Sequence, residues 1–233
     1  MNIKNLFKKS PAKVAGPITH SELSQLIINR LYTANDEFVR GYDLIKKYPR
    51  SVSILGSARF KPDNHYYKQA ESLGRRIVKE LNYTIVTGGG PGIMEAANKG
   101  AFEAGGKSIG FAIKLPKEQT VNPYLTEYLE FEYFFSRKTL LYFSAETYIY
   151  FPGGFGTFDE LFEIITLIQT KKIPPVPVIL VGRSFWQPLL ELIHKQLLDA
   201  ESTISTGDEN IYKIVDSEDE IIEIIKNAPF RQE

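Results

Sequence analysis

The stretch "TYIYFPGGFGTFDELFEIITLIQT", residues 147–170, holds the three parts of a β-strand–turn–helix unit. "TYIYF" (147–151) is aromatic and β-branched, the composition of a buried strand. From residue 157 to 170 apolar residues recur at intervals of three and four, which predicts an amphipathic helix. Between the two, Gly153, Gly154 and Gly156 break both patterns. A strand that ends in glycines and runs into a helix presents backbone N–H groups at the positive helix end. With no side chains in the way, an anion can come close. Thr157 adds a hydroxyl donor near the helix start, so the turn reads as a phosphate cradle. The plain alternative is steric, because strand–helix connections use glycine for tight turns as well.

The same grammar extends outward in both directions. Strands are predicted at "SVSILGS" (51–57), "YTIVTGGG" (83–90), "SIGFAI" (108–113), "LEFEYF" (129–134) and "VPVILVG" (176–182). Helices are predicted at "YYKQAESLGRRIVKEL" (66–81), "GIMEAANKGAFEAGG" (92–106), "RKTLLYFSA" and about 186–199, with a last strand and helix over 211–227. This alternation predicts an α/β fold: a Rossmann-like, doubly wound, mostly parallel sheet with helices on both faces. In such sheets ligands sit beyond the carboxyl ends of the strands, where Gly56, Gly88 to Gly90 and the 153–156 glycines fall. Neither "GGGPGI" nor "GGFGTF" has the G-x-G-x-x-G spacing, and no P-loop ending in Gly-Lys-Ser/Thr occurs. NAD binding and ATP hydrolysis lose support, and a mononucleotide fits better.

Ahead of this series, residues 1–20 carry four lysines and two prolines and read as a loose arm. From Ser21, an expected cap, the residues Leu23, Leu26, Ile27, Leu31, Phe38, Tyr42 and Ile45 form a helical stripe over one or two helices, read first as packing against the body of the protein, with a partner helix in a homodimer as the alternative. The division expected is an N-terminal arm and helical extension (1–50) and a nucleotide-binding catalytic domain (51–233). Lysine plus arginine equals aspartate plus glutamate at 28 each, so no global field recruits nucleic acid or an anionic membrane, and any anion site is local. With no cysteine and three scattered histidines, neither a thiolate centre nor a metal site is expected. No apolar run approaches the roughly 18 residues of a membrane span, and the first 20 residues lack a signal core, so a cytoplasmic protein is expected.

"GGGPGIMEAANKGAFEAGG" (88–106), "SRK" (136–138) and "PGGFGTFDE" (152–160), in that order, resemble the Lonely Guy family, cytokinin riboside 5′-monophosphate phosphoribohydrolases often labelled "possible lysine decarboxylase". The likeness covers about residues 51–200. It implies hydrolysis of the N-glycosidic bond between ribose 5-phosphate and an adenine-type base, without a cofactor. Carried onto this chain, Arg137 and Glu160 match the catalytic pair. Gly153, Gly154, Gly156 and Thr157 match the phosphate loop, and Gly88, Gly89, Gly90, Met94 and Glu95 the second nucleotide-binding turn. Gly56 and Ser57 match the first-strand turn, and Lys138 is expected to assist anion binding. Glu95, where short plant-type members often have a small residue, leaves AMP open beside N6-substituted relatives. A homodimer is implied, with the aromatic segment 128–143 at core and interface.

The chemistry suits these residues. Departure of a purine builds positive charge on the sugar, which a carboxylate beneath the ring stabilises while it orients the attacking water. Glu160 sits one helical turn after Thr157, so the helix that holds phosphate also aims the carboxylate; Arg137 offers a bidentate fork to fix the geometry. On spacing alone Glu160 is an acid in the first turns of a helix, Asp159 and Glu163 read as cap and solvent face, and Arg59, Lys61 and His65, after the first strand, read equally as ligand contacts and as solubilising loop residues. The alternative function is a binding module resembling molybdenum-cofactor carriers, which hold a phosphorylated pterin without hydrolysis. Decarboxylation would need a Schiff-base lysine in a pyridoxal phosphate site, for which no motif appears.

Overall fold

A computed structural model of the protein describes residues 19–115 and 121–229. The arm expected over residues 1–20 therefore lies outside the described residues, apart from Thr19 and His20. Seven strands form one sheet: β1 (Ser51–Leu55), β2 (Thr84–Thr87), β3 (Ser108–Ile113), β4 (Glu127–Phe131), β5 (Thr147–Tyr150), β6 (Val178–Leu180) and β7 (Tyr212–Ile214). Their order is β4-β3-β2-β1-β5-β6-β7, and every pairing is parallel, so "mostly parallel" becomes all-parallel among the described residues. Between the strands run α2 (His65–Arg76), which widens into a π turn to Leu81, α3 (Ile93–Glu103), α4 (Phe134–Phe143), α5 (Phe155–Gln169) and α6 (Arg183–Leu192), which continues as a π segment to Ala200. The long α1 (His20–Lys47) precedes the sheet and α7 (Glu218–Asn227) follows it.

Successive strand residues point to opposite faces, and each face has its own core. Val52, Ile54, Ile85, Ile149 and Ile179 pack with α2, α3 and α7. Leu55, Val86, Tyr148, Tyr150 and Leu180 pack with α1, α4, α5 and α6. The central strands β1 and β5 are buried on both sides, with Ser51, Ser53 and Thr147 buried among their apolar neighbours.

The chain leaves β1 toward β2, β3 and β4 and then returns to the other side of β1 as β5. That reversal opens a crevice beyond the carboxyl ends of β1 and β5. Two backbone hydrogen bonds stitch the neighbouring turns there: Ser57 N–H donates to the Pro152 carbonyl at 3.0 Å, and Ile93 N–H donates to the Ser57 carbonyl at 3.0 Å.

The N-terminal stripe forms one helix, and its cap is Thr19 rather than Ser21. Thr19 and Glu22 make a reciprocal capping box, the Thr19 hydroxyl accepting from Glu22 N–H and the Glu22 carboxylate from Thr19 N–H. Only the second half of α1 packs on the body of the protein, burying Ala34, Glu37, Gly41 and Leu44. Leu23, Leu26, Ile27 and Leu31, read as packed, are exposed, since the helix runs past the sheet before reaching α4.

Helices α2 and α3 approach backbone to backbone. A Cβ added at Gly100 would lie 1.9 Å from the Glu71 carbonyl oxygen and 2.8 Å from the Arg75 nitrogen. Helix propensity alone says that Gly100→Ala stabilises by about 1 kcal/mol. Because the clash is with main chain that cannot swing aside, overpacking wins, and a net loss of about 2 kcal/mol is expected in urea unfolding.

Candidate functional site

A cavity of about 1190 Å³ occupies the crevice. The turn after β1 contributes Gly56 and Ser57, the turn after β2 Gly88, and α3 Met94. The turn after β5 contributes Gly153, Gly154, Gly156 and Thr157, while Arg137 reaches in from α4 and Glu160 from α5. Four residues of the expected site stand outside this lining. Gly89 and Gly90 lie beneath it, where their carbonyls accept from Asn122 N–H (2.9 Å) and the Asn122 side-chain amide (3.0 Å). Gly89 has φ +71°, a left-handed conformation that glycine adopts without strain, and its N–H donates to the Thr87 hydroxyl at 2.9 Å. Glu95 accepts from the Tyr67 hydroxyl at 3.0 Å; burial, reinforced by this carboxylate, pushes that phenol above its ordinary range. Lys138 bridges Asp159 at 2.8 Å and Glu163 on α5. Burial opposes its charge, yet hydrogen bonds to those two carboxylates hold its pKa above the usual lysine value. Asp159 and Glu163 are thus clamps between α4 and α5, not merely solvated acids.

The centre of the site is an ion pair. Arg137 Nη1 donates to Glu160 Oε1 at 2.9 Å, and the two side chains retain only 9% and 13% of their exposure. Arg137 Nε donates to the Phe111 carbonyl at the end of β3, 2.7 Å away. The guanidinium is thereby fixed from two sides, with further donors left to face the cavity. Tyr150, buried in the sheet, donates its hydroxyl to the Glu160 carbonyl oxygen at 3.1 Å, tying the second turn of α5 to β5. Burial, then the nearby Glu160 carboxylate, drives the Tyr150 pKa well up, so the phenol stays a neutral donor.

At the head of α5, Gly154 is the N-cap, with φ −99° and ψ −160°, and no side chain caps the helix. The first N–H groups of a helix have no partner within it, so this end presents free donors and a positive dipole to the cavity. Gly153 is required by packing: a Cβ there would lie 2.1 Å from the Thr157 hydroxyl oxygen. Around Gly156 nothing stands within 4 Å of where a Cβ would be, although the residue lines the cavity.

The outer wall is aromatic. Phe60, His65 and Tyr66 come from the segment after β1, Phe134 from the start of α4, and Phe158 and Phe185 from α5 and α6. Of the three polar residues after β1 for which a ligand contact was left open, Arg59 and His65 line the cavity and Lys61 does not. Ser184 and Phe185 were missed. Their signal was the glycine that ends "VPVILVG", a strand end of the same kind as the others.

Residues 94–225 match the family whose model is described as "Possible lysine decarboxylase". The chain belongs to this Lonely Guy-type family. Among its relatives, the cytokinin riboside 5′-monophosphate phosphoribohydrolase of Rhodococcoides fascians is 27% identical over 163 residues, spanning 68% of this chain and 81% of the relative. The cytokinin riboside 5′-monophosphate phosphoribohydrolase LOG4 of Arabidopsis thaliana is 31% identical over 165 residues, spanning 69% and 74%. In fold, the molybdenum cofactor carrier protein of Chlamydomonas reinhardtii matches with a TM-score of 0.54 at 22% identity, covering 77% of this chain and 97% of the carrier. The molybdenum cofactor binding protein of Rippkaea orientalis matches with a TM-score of 0.54 at 24% identity, covering 76% and 93%. Across the family match, α4 and α5 carry the Arg137 and Glu160 side chains that face each other in the crevice.

Gly88 makes room for that pair. A Cβ on it would lie 2.6 Å from Arg137 Nη2 and 2.8 Å from Met94 Sδ. Gly88→Ala is expected to cost about 1–3 kcal/mol of stability, measured by thermal unfolding. A crystal structure of the variant is expected to show the Arg137–Glu160 hydrogen bond broken.

Proposed function

We propose that the protein is a nucleoside 5′-monophosphate phosphoribohydrolase, which hydrolyses the N-glycosidic bond of an adenine-type nucleotide to give free base and ribose 5-phosphate. The observation that carries this reading is the buried Arg137–Glu160 pair one turn into the helix whose uncapped N-terminus faces the same cavity. A 5′-phosphate held by the amides after Gly153 puts the ribose over Glu160. As the C1′–N bond lengthens, positive charge grows on the sugar, and the carboxylate becomes a better partner for it than for the ground state. Water, oriented by Glu160, adds its oxygen to C1′ and loses a proton to that carboxylate; the electrons of the C1′–N bond leave with the base, which takes a proton from solvent, and Glu160 returns its own proton to solvent. Arg137 holds the carboxylate in place, and its remaining donors serve phosphate or ribose hydroxyls. The aromatic wall of Phe134, Phe158 and Phe185 suits the face of a purine, substituted or not.

The decarboxylase in the family's description receives no support from the site. Among the described residues that line the cavity there is no lysine to form a Schiff base, and Lys138 is engaged by Asp159 and Glu163. The carrier reading rests on likeness of fold alone and gives Glu160 no task.

Chromatography of products from a panel of nucleoside monophosphates tests the proposal: adenine and ribose 5-phosphate are expected from AMP or an N6-substituted relative, and binding without turnover refutes it. Glu160→Gln keeps an acceptor for Arg137 and the fold, and is expected to lower kcat about 10²- to 10⁴-fold. Gly156→Ala separates phosphate binding from stability. It is expected to raise the melting temperature, since alanine is the better helix former by up to about 1 kcal/mol, yet to raise KM by crowding the anion.

A homodimer is part of the same proposal. Leu26, Leu31 and Tyr32 are 47%, 65% and 75% exposed on the half of α1 that packs on no other element among the described residues, an apolar face that a second copy of the chain would cover. Light scattering is expected to give twice the chain mass, and Leu31→Glu to reduce it.

A further inference from the structure

Helix α1 stands outside the strand–helix alternation, yet it delivers a carboxylate to the helix that carries Arg137. Glu37 is 5% exposed, and no cation pairs with it among the described residues. Its Oε1 accepts from Glu132 N–H at 2.5 Å, and its Oε2 accepts from the Ser136 hydroxyl. Both donors sit at the start of α4, whose N-cap, Tyr133, makes no side-chain cap of its own. A buried carboxylate without a counter-charge is costly unless hydrogen bonds and a helix dipole compensate it, and here both come from α4.

Ser136 immediately precedes Arg137, and Arg137 N–H closes the first turn of α4 on the Tyr133 carbonyl at 3.3 Å. Glu37 thus fixes the turn from which the guanidinium reaches Phe111 and Glu160. An apolar residue at position 37 would bury as well and avoid the cost of a desolvated charge, so packing does not account for a glutamate there.

We infer that Glu37 is a positioning residue for Arg137: from the N-terminal helix it holds the Glu132 N–H just ahead of α4 and the Ser136 hydroxyl in its first turn, so that α1 belongs to the machinery of the site and not only to the surface. The inference rests on the proposed function for its rate effect, but not for its geometry.

Two measurements therefore test it. In Glu37→Gln one of the two acceptor oxygens becomes an amide nitrogen, so that Glu132 N–H is left facing a donor or the Ser136 hydroxyl must turn to the Tyr133 carbonyl, 3.0 Å away; kcat is expected to fall about 10- to 100-fold with KM little changed, the range for small misplacements of a catalytic group. Glu37→Asp, which keeps the charge, is expected to recover part of the rate. By ¹⁵N NMR, the Arg137 Nε–H, which donates to Phe111, is expected to be protected from exchange in the wild type and to lose that protection in Glu37→Gln. Ser136→Ala removes one of the two donors and gives the same changes in smaller degree if Glu37→Gln does not fold. Leu44→Ala, which weakens α1 packing away from the α4 terminus, lowers thermal stability but is expected to leave kcat and the Arg137 signal as they are. Wild-type Arg137 protection in both the Glu37→Gln and Ser136→Ala proteins, or equal loss of it in Leu44→Ala, overturns the inference. If no nucleotide is hydrolysed by the wild type, the functional proposal fails, and the NMR comparison still decides this one.

Discussion

One guanidinium joins three parts of the fold that are distant in sequence. Arg137 projects from α4, donates to the end of β3 through Phe111, and meets Glu160 on α5 across the mouth of the crevice. The geometry tolerates little around it: Gly88 leaves the space that the side chain fills, Tyr150 holds the backbone of Glu160, and Lys138 locks α4 to α5 through Asp159 and Glu163. A charge pair this buried adds little net stability, because desolvation cancels much of the attraction; removing one partner strands the other and is far worse. The fold therefore carries this pair at a near-neutral balance and depends on keeping both members.

The crevice itself follows from topology. A parallel sheet whose strand order reverses at β1 must leave a gap between the turns after β1 and β5, since the helices on either side depart in opposite directions. Glycine then decides what fits into the gap. Where glycine allows backbone or side chain to close in, as at Gly153 against Thr157, it builds the walls; where a Cβ would meet nothing, as at Gly156, it leaves room for a guest.

Much of this was legible from local pattern. The βα units were recognisable because both-face burial makes their strands short apolar runs and their helices amphipathic, and the edges shifted by only a few residues; the expected strand at 129–134 proved to be Glu127–Phe131, with α4 already beginning at Phe134. The turns were legible because glycine at a strand end is a local signal. What was not legible depended on contacts between distant segments. Whether the apolar stripe of α1 would be covered is decided by where the body of the protein ends, and half of it runs beyond. Lys138 read as an anion ligand because sequence does not reveal that α5 places two carboxylates against it. Glu37 gave no signal at all, since a lone glutamate in a helix is ordinarily a solvated one.

Under the proposed function, one charge separates cleaving a nucleotide from merely holding it. A phosphate-binding site gains nothing from a carboxylate beside its anionic guest; at about 4 Å two like charges repel by about 1 kcal/mol even in bulk water, and by more in a half-enclosed crevice. Pairing with Arg137 mutes that repulsion while the nucleotide is intact. In the proposed reaction the sugar becomes cationic as the glycosidic bond breaks, and the same carboxylate would turn from a burden on binding into the nearest stabilising charge. Glu160 would thus be disfavoured in a site that only holds a phosphate and favoured in a hydrolase, and its place one turn beyond the uncapped end of α5, buried and held by an arginine, is the arrangement in which that change of sign would be worth most.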